Sequence, residues 1–146
     1  MSSKTRLWIA AGIVAVVALV AGVAMHFMMM TPPADLDLSR LKNSAKGTYA
    51  VAIEPEAGTF TQNEMHSWVL TVKTPAGDAV TGAKVAIDGG MPQHGHGLPT
   101  APQAAEIGEG RYRIEGMRFN MSGWWELKFA ITAPQGEDDV VFNITL

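Results

Sequence analysis

The C-terminal stretch WELKFAITAPQGEDDVVFNITL, residues 125–146, decides the fold. Apolar residues stand at every second position from Trp125 to Ile131 and again from Val140 to Leu146. The segment between them, Ala133 to Asp139, contains proline and glycine, which favour a turn. Because alternation with a period of two places apolar side chains on one face of a strand, this stretch predicts two antiparallel strands.

The same alternation occurs earlier in the chain, from Gly47 onward. It predicts strands at residues 49–53, 66–72, 84–88 and 111–115, with a weaker signal at 104–107. The strand at 84–88 is expected to stop at Gly89-Gly90. Turn signals recur about every ten residues, and no helical period extends beyond a turn or two. The pattern therefore predicts an all-β fold, an antiparallel β-sandwich of immunoglobulin-like type.

The N-terminal segment has a different character. No Asp, Glu, Lys or Arg occurs from Leu7 to Met30, a length of roughly 36 Å as a helix. That length suffices for a hydrocarbon core of roughly 30 Å, so residues 7–30 are predicted to form one transmembrane anchor. Lys4 and Arg6 precede the segment, which predicts a cytoplasmic N-terminus at residues 1–6 and an exported C-terminal part.

A cleaved signal peptide is the alternative to a retained anchor. The small residues Gly22-Val23-Ala24 resemble a cleavage site, with cleavage after Ala24. The apolar run is longer than a usual signal core, which favours the anchor. Pro32 and Pro33 are expected to end the helix, because proline cannot continue one. Residues 31–46 are predicted to be a linker, and residues 47–146 are predicted to form the exported domain.

Composition excludes several functions. Without Lys4 and Arg6, the chain keeps nine basic and fourteen acidic residues, a net charge of about −5, which argues against nucleic-acid binding. The absence of cysteine excludes disulfides and thiolate chemistry. No sequence motif pairs a nucleophile with a base, so the chain is not expected to be an enzyme.

One segment contains residue types that a purely structural connection does not need. In MPQHGHG, residues 91–97, Met91 comes three residues before His94, and His96 follows two residues later. Thioether and neutral imidazole are ligands that favour copper, so these three residues are predicted to bind Cu(I) or Cu(II). A segment rich in glycine and histidine is also typical of an exposed connection, and two histidines are a weak signal.

Three further residues are candidates for the same site. Met117 and Met121 bracket a predicted turn, and His66 opens a predicted strand. Loops at one end of a sandwich cluster, so these side chains are expected near His94 and His96. Methionine at such positions is more often core filler, and His66 beside Trp68 is more often a strand-surface residue.

Four motifs carry a family resemblance: TGAKV at residues 81–85, MPQHGHGLPT at 91–100, GRY at 110–112 and MSGWWEL at 121–127. On these motifs the chain resembles the YtkA-like/FixH-like family over residues 49–146. The resemblance implies a bacterial domain of sandwich type, held in the inner membrane or exported to the periplasm. It further implies a link to maturation of cbb3-type cytochrome oxidase, to copper delivery, and to a copper-transporting ATPase.

Together these observations predict a periplasmic accessory protein, anchored in the bacterial inner membrane, that binds copper and assists a membrane copper enzyme such as a cytochrome oxidase. A metal-independent assembly or interaction module of a membrane complex is the alternative.

Overall fold

The computed structural model describes residues 3–146, with the side chains of residues 8–9, 12–28 and 31–146. The chain divides into two compact units, one ending at Pro33 and one spanning Ala34–Leu146. In the first unit, α1 runs from Ser3 to Met30. Among the described residues, no helix is both long enough and apolar enough to cross a membrane. Within the predicted anchor, the side chains of residues 7, 10, 11, 29 and 30 lie outside the described set, as do those of the predicted cytoplasmic segment 1–6.

The second unit consists of strands. In the described chain they are β1 (Leu41–Asn43), β2 (Ala50–Pro55), β3 (His66–Lys73), β4 (Lys84–Met91), β5 (His96–Gly97), β6 (Gln103–Gly108), β7 (Arg111–Met117), β8 (Trp124–Ala133) and β9 (Gly136–Thr145). One sheet has the order β1-β2-β3-β7-β6 and the other β5-β4-β8-β9. Every strand pair in them is antiparallel, which confirms the predicted all-β sandwich of two antiparallel sheets.

The core lies between the two sheets and is filled by alternate residues of the long strands. Its main members are Val51, Ile53, Trp68, Leu70, Val72, Tyr112, Ile114, Trp125, Leu127, Phe129, Ile131, Phe142 and Ile144. These are the residues that the period of two assigns to the inner faces. Burial of a large apolar side chain contributes roughly 1.5–3 kcal/mol, so this alternation accounts for the sandwich.

Two strands, β1 and β5, lie where none was predicted. β1 falls inside the predicted linker at 31–46, and its three residues are too few to show an alternating pattern. The segment before it is also bound to the domain: the Ile53 N–H donates to the Arg40 carbonyl at 2.9 Å, and the Asn143 amide donates to the Asp37 carbonyl at 2.8 Å. Residues from Asp37 onward therefore belong to the folded domain.

A different departure from the prediction concerns Gly89-Gly90, which were expected to end a strand. Instead β4 continues through both to Met91. A Cβ atom on Gly89 would lie 2.4 Å from the Glu126 carbonyl oxygen, and one on Gly90 would lie 2.3 Å from the His96 carbonyl oxygen. These glycines are needed because neighbouring backbone approaches them closely.

The ends of four strands meet at one end of the sandwich. β3 begins there at His66 and β7 ends at Met117, while β4 ends at Met91 and β8 begins at Trp124. We call this the histidine end. Antiparallel pairing brings the ends together within each sheet, because a strand that starts at one end is paired with one that finishes there. Phe119 joins the two sheets at this end, since its ring contacts both Trp68 and Trp125.

Candidate functional site

The segment predicted as a loop is an ordered β-hairpin. Met91 is paired with His96, and Gly90 with Gly97. The turn between them is closed by the N–H groups of His94 and Gly95, which donate to the Met91 carbonyl at 3.1 and 2.9 Å. Gly95 has a φ of 66°, a conformation that favours glycine. The hairpin leaves His94 exposed at its tip and His96 half-buried at its base.

The His96 ring has a backbone partner at one of its two nitrogens. Its Nδ1 lies 3.2 Å from the Gly97 carbonyl oxygen. A carbonyl can only accept a hydrogen bond, so Nδ1 is the donor in this contact, and in the neutral ring Nε2 then bears the lone pair. The ring also packs edge-to-face on Trp125, with 5.7 Å between centroids. A metal-binding histidine has the same arrangement, with its second nitrogen donating to a carbonyl or carboxylate.

His94 lies beside His96 on the hairpin. The two ring centroids are 6.0 Å apart. Two imidazoles that share one ion have ring centres roughly 5–6.5 Å apart, since each nitrogen is about 2 Å from the metal. The spacing of the two rings is therefore compatible with a shared ion. Because the rings are stacked with 26° between their planes and a bound ion lies in the plane of each imidazole, the exposed His94 ring has to turn to direct its nitrogen at that ion.

The three candidate methionines differ in exposure. Met91 is 1% exposed, and its Cε atom lies 3.0 Å from where a Cβ on Gly123 would stand. Met117 is 0% exposed and belongs to the core, whereas Met121 is 36% exposed. Met91 and Met117 thus fill space inside the sandwich, and Met121 offers its thioether at the surface.

The loop that carries Met121 is bound to the start of β8. The Trp125 indole N–H donates to the Met121 carbonyl at 3.0 Å. The same indole contacts the His96 ring on the hairpin and the Phe119 ring, 5.2 Å away. The fold therefore brings the hairpin and the segment 117–125 together, which the sequence indicated only through the clustering of loops.

His66 lies at the same end in a different environment. The Trp68 indole N–H donates to His66 Nδ1 at 3.1 Å, so Nδ1 is the acceptor and Nε2 carries the proton. Nε2 is buried and makes no hydrogen bond of normal geometry in the described chain, although the Thr61 carbonyl lies nearby. The ring also packs on Phe119, 5.4 Å away. Burial lowers the pKa of His66, and the Thr61 carbonyl and the Glu64 carboxylate only partly oppose this effect.

Two open clefts border these histidines. One, of about 480 Å³, is lined by His66 together with Phe60, Glu64 and Met65. The other, of about 240 Å³, lies beside the hairpin and includes His96 and an ion pair in which Lys128 Nζ is 3.3 Å from a Glu126 oxygen. In the described part of the chain, no three His, Asp or Glu side chains are close enough together to hold a metal ion. Any third ligand beside His94 and His96 must therefore be of another type.

Two supporting features were missed by reasoning from sequence. The first is the Gly97 carbonyl, which pairs with His96 Nδ1, and the second is Trp125, which contacts both the hairpin and the segment that carries Met121. The only signal for the second was the Gly-Trp-Trp motif at residues 123–125, quoted above for the family resemblance. A backbone carbonyl leaves no trace in a sequence, so the first had none.

Comparison with known proteins places these residues in a family. No curated protein and no solved structure matches the chain significantly. The model of the YtkA-like family matches residues 43–130, more than half of the chain. The matched region extends from the end of β1 into β8 and includes all six candidate residues. The chain therefore belongs to the YtkA-like family.

Proposed function

We propose that this chain is a periplasmic accessory protein that binds one copper ion and delivers it to a membrane copper enzyme such as a cytochrome oxidase. His94 and His96 bind the ion through their imidazoles, and Met121 supplies a thioether. Met91 supports the hairpin from inside the core.

The observation that carries this proposal is the tautomer of His96. When its Nδ1–H donates to the Gly97 carbonyl, the lone pair on Nε2 of the neutral ring can bind a metal while the ring keeps its orientation. His94, whose ring centroid is 6.0 Å away, supplies the second nitrogen. In contrast, a metal on His66 Nε2 requires a proton on Nδ1, opposite the Trp68 N–H.

The choice of copper follows from the ligand types. Two imidazoles and a thioether form a soft-to-borderline set, which suits Cu(I) better than the oxygen-preferring cations. Cu(II) prefers tetragonal nitrogen and oxygen ligands, and among the described residues no His, Asp or Glu completes a three-ligand group with His94 and His96. We therefore assign Cu(I) as the bound state.

The exposed position of the site favours transfer over storage. His94 stands at the hairpin tip, and Met121 is exposed in the loop between β7 and β8. A partner protein has access to the ion there without unfolding of the domain. Burial of both ligands would instead favour permanent retention.

We extend the proposal to a membrane tether at residues 7–30. It is supported by the absence of Asp, Glu, Lys and Arg from this stretch and by Lys4 and Arg6 before it. Alkaline extraction of bacterial membranes tests the tether, because an integral protein stays in the pellet. Release of a chain that begins at Met25 would show cleavage after Ala24 instead.

The strand order also supports the immunoglobulin-like part of the fold prediction. Leaving out β1, one sheet reads β2-β3-β7-β6, which corresponds to the order A-B-E-D of an immunoglobulin domain. The other reads β5-β4-β8-β9, which corresponds to C′-C-F-G.

Copper binding is tested by competition with a Cu(I) chelator, using the full-length chain in detergent. Replacement of both His94 and His96 by Ala should weaken binding by at least about a hundredfold, more than the loss of an outer-shell contact. His66→Gln is the matched control, since it removes a histidine at the same end and keeps an acceptor for Trp68. Equal affinity of the wild type and the double variant would exclude the proposed site.

The metal-independent module is the second candidate, and the hairpin itself favours it. Its backbone hydrogen bonds and its contact with Trp125 order it as a projecting element without any ligand. Co-purification of the full-length chain from membranes identifies partners. A partner that is lost when residues 92–95 are replaced by a short Asn-Gly turn, but kept in the double histidine variant, would favour this candidate.

A further inference from the structure

Trp125 contacts both segments that carry the proposed ligands. Its ring packs on His96 of the hairpin, and its indole N–H donates to the backbone carbonyl of Met121 in the loop between β7 and β8. We propose that Trp125 is the positioning residue of the copper site and sets the distance between the imidazoles and the thioether. This inference rests on the proposed function.

The position of Trp125 itself is fixed by packing. Its side chain is 0% exposed, and Phe119 lies against it with 5.2 Å between ring centroids. It is the second residue of β8, where its partner across the strand pair is Ile144. A buried aromatic ring that is packed on several sides has little freedom to move, so a group that is hydrogen-bonded to the ring is held in place as well.

The loop is anchored at both ends and at two carbonyls between them. At one end, the Phe119 carbonyl accepts from the Asn63 N–H at 2.8 Å. At the other, Gly123 and Leu146 exchange two backbone hydrogen bonds of 3.1 Å. Between them, the Gln62 side-chain amide donates to the Asn120 carbonyl at 3.1 Å, and the Trp125 indole donates to the carbonyl of Met121. Of these bonds, the one from Trp125 acts on the residue whose side chain carries the sulfur.

The molecule offers a matched control at the same end. Trp68 is also 0% exposed, and its indole N–H also donates to a neighbouring candidate residue, here Nδ1 of His66. Its ring contacts Phe60 and Phe119. Replacement of either tryptophan by phenylalanine removes an N–H donor and part of a buried ring. The two variants therefore differ chiefly in which segment loses its hydrogen bond.

The test compares Trp125→Phe with Trp68→Phe in the full-length chain, loaded with one equivalent of Cu(I). We expect Trp125→Phe to bind about tenfold more weakly, as for other outer-shell contacts, and to lose the sulfur signal in copper K-edge X-ray absorption. Trp68→Phe should retain both the affinity and the sulfur signal of the wild type. Equal affinity and an unchanged sulfur signal in Trp125→Phe would overturn the proposal.

A second substitution separates hydrogen bonding from packing. Incorporation of 3-benzothienylalanine at position 125 keeps the bicyclic shape and removes the N–H group. It should reproduce the loss of the sulfur ligand even if Trp125→Phe does not fold. Retention of the sulfur signal here would show that the indole N–H does not position Met121.

A metal-free measurement distinguishes failure of this inference from failure of the proposed function. In the apo chain, either change at Trp125 should shift the NMR signals of the Met121 methyl group and the His96 ring. The His66 ring should shift only in Trp68→Phe. If these shifts occur and the wild type binds no copper, the proposed function fails while the positioning role stands. If the Met121 and His96 signals do not move, the positioning role fails whatever the copper result.

Discussion

His66 and His96 both lie at the histidine end and both contact a buried tryptophan, yet the hydrogen bonds at their Nδ1 atoms run in opposite directions. Nδ1 of His66 accepts from Trp68, whereas Nδ1 of His96 donates to the Gly97 carbonyl. The first ring therefore directs its Nε2–H inward, and the neutral form of the second carries its lone pair on Nε2. The two regions share residue types and differ in the chemistry they offer.

The difference teaches that the neighbours of a histidine decide which of its nitrogens can accept a ligand. The His66 region consists of His66, Trp68, Phe60 and Phe119, and burial there lowers the histidine pKa, which favours the neutral ring. The hairpin region, residues 91–97, has an exposed tip and a backbone carbonyl that selects the tautomer. The first arrangement stabilises the core, and the second suits a metal.

The largest contrast is expected in stability, between Met117→Ala and Met121→Ala. Met117 is fully buried, so its truncation should lower the free energy of unfolding by about 2–5 kcal/mol. Met121 is exposed, so the same change should cost about 0.5 kcal/mol or less. Urea unfolding of the two full-length variants measures both. A similar loss in both would mean that Met121 is a core residue as well.

The next contrast lies within the hairpin, between the cross-strand partners Gly90 and Gly97. Gly90→Ala places a Cβ 2.3 Å from the His96 carbonyl oxygen, so backbone must shift, at a cost of about 1–3 kcal/mol. Gly97→Ala places a Cβ 3.5 Å from the Gly89 carbonyl oxygen, an ordinary contact. Thermal unfolding should show a lower Tm for Gly90→Ala alone. Equal Tm values would contradict the close packing of β4 against β5.

A pH titration of stability tests the His66 region. Burial lowers the pKa of His66 in the folded chain, while in the unfolded chain it stays near 6.5. Below that pH the unfolded chain binds more protons, so the free energy of unfolding should fall as the pH decreases from 7.5 to 5. His66→Gln should reduce this decrease, and His94→Gln, at the exposed tip, should follow the wild type. If His66→Gln also followed the wild type, the fall in the free energy of unfolding at lower pH would not come from His66.

The smallest effects are expected for the ion pair that borders each region. Arg113 Nε donates to Glu56 at 2.9 Å near His66, and Lys128 pairs with Glu126 near the hairpin. Because these side chains are partly exposed, Glu56→Gln and Glu126→Gln should each change the free energy of unfolding by about 1 kcal/mol or less. Urea unfolding provides the measurement. A loss above about 2 kcal/mol in either would show that the pair contributes more than a surface contact.

Strand positions were predictable because strands with one inner face repeat their apolar residues every second position. All seven strands predicted from the alternation occur, with shifts at their ends. The strands β1 and β5 were not predictable, since two or three residues contain no period. The prediction at Gly89-Gly90 was wrong because glycine occurs both where a strand ends and where another backbone approaches a strand closely. Only the positions of the Glu126 and His96 carbonyl groups distinguish the two cases.

The sequence by itself determined that this chain has an apolar N-terminal segment, an all-β domain and a group of histidines and methionines with copper-type donors. Those properties depend on residue type and spacing. Tertiary structure alone decided which thioether is buried, as in Met91, and which is exposed, as in Met121. It also decided which nitrogen of each histidine carries the proton, because that depends on hydrogen-bond partners such as the Gly97 carbonyl and the Trp68 indole.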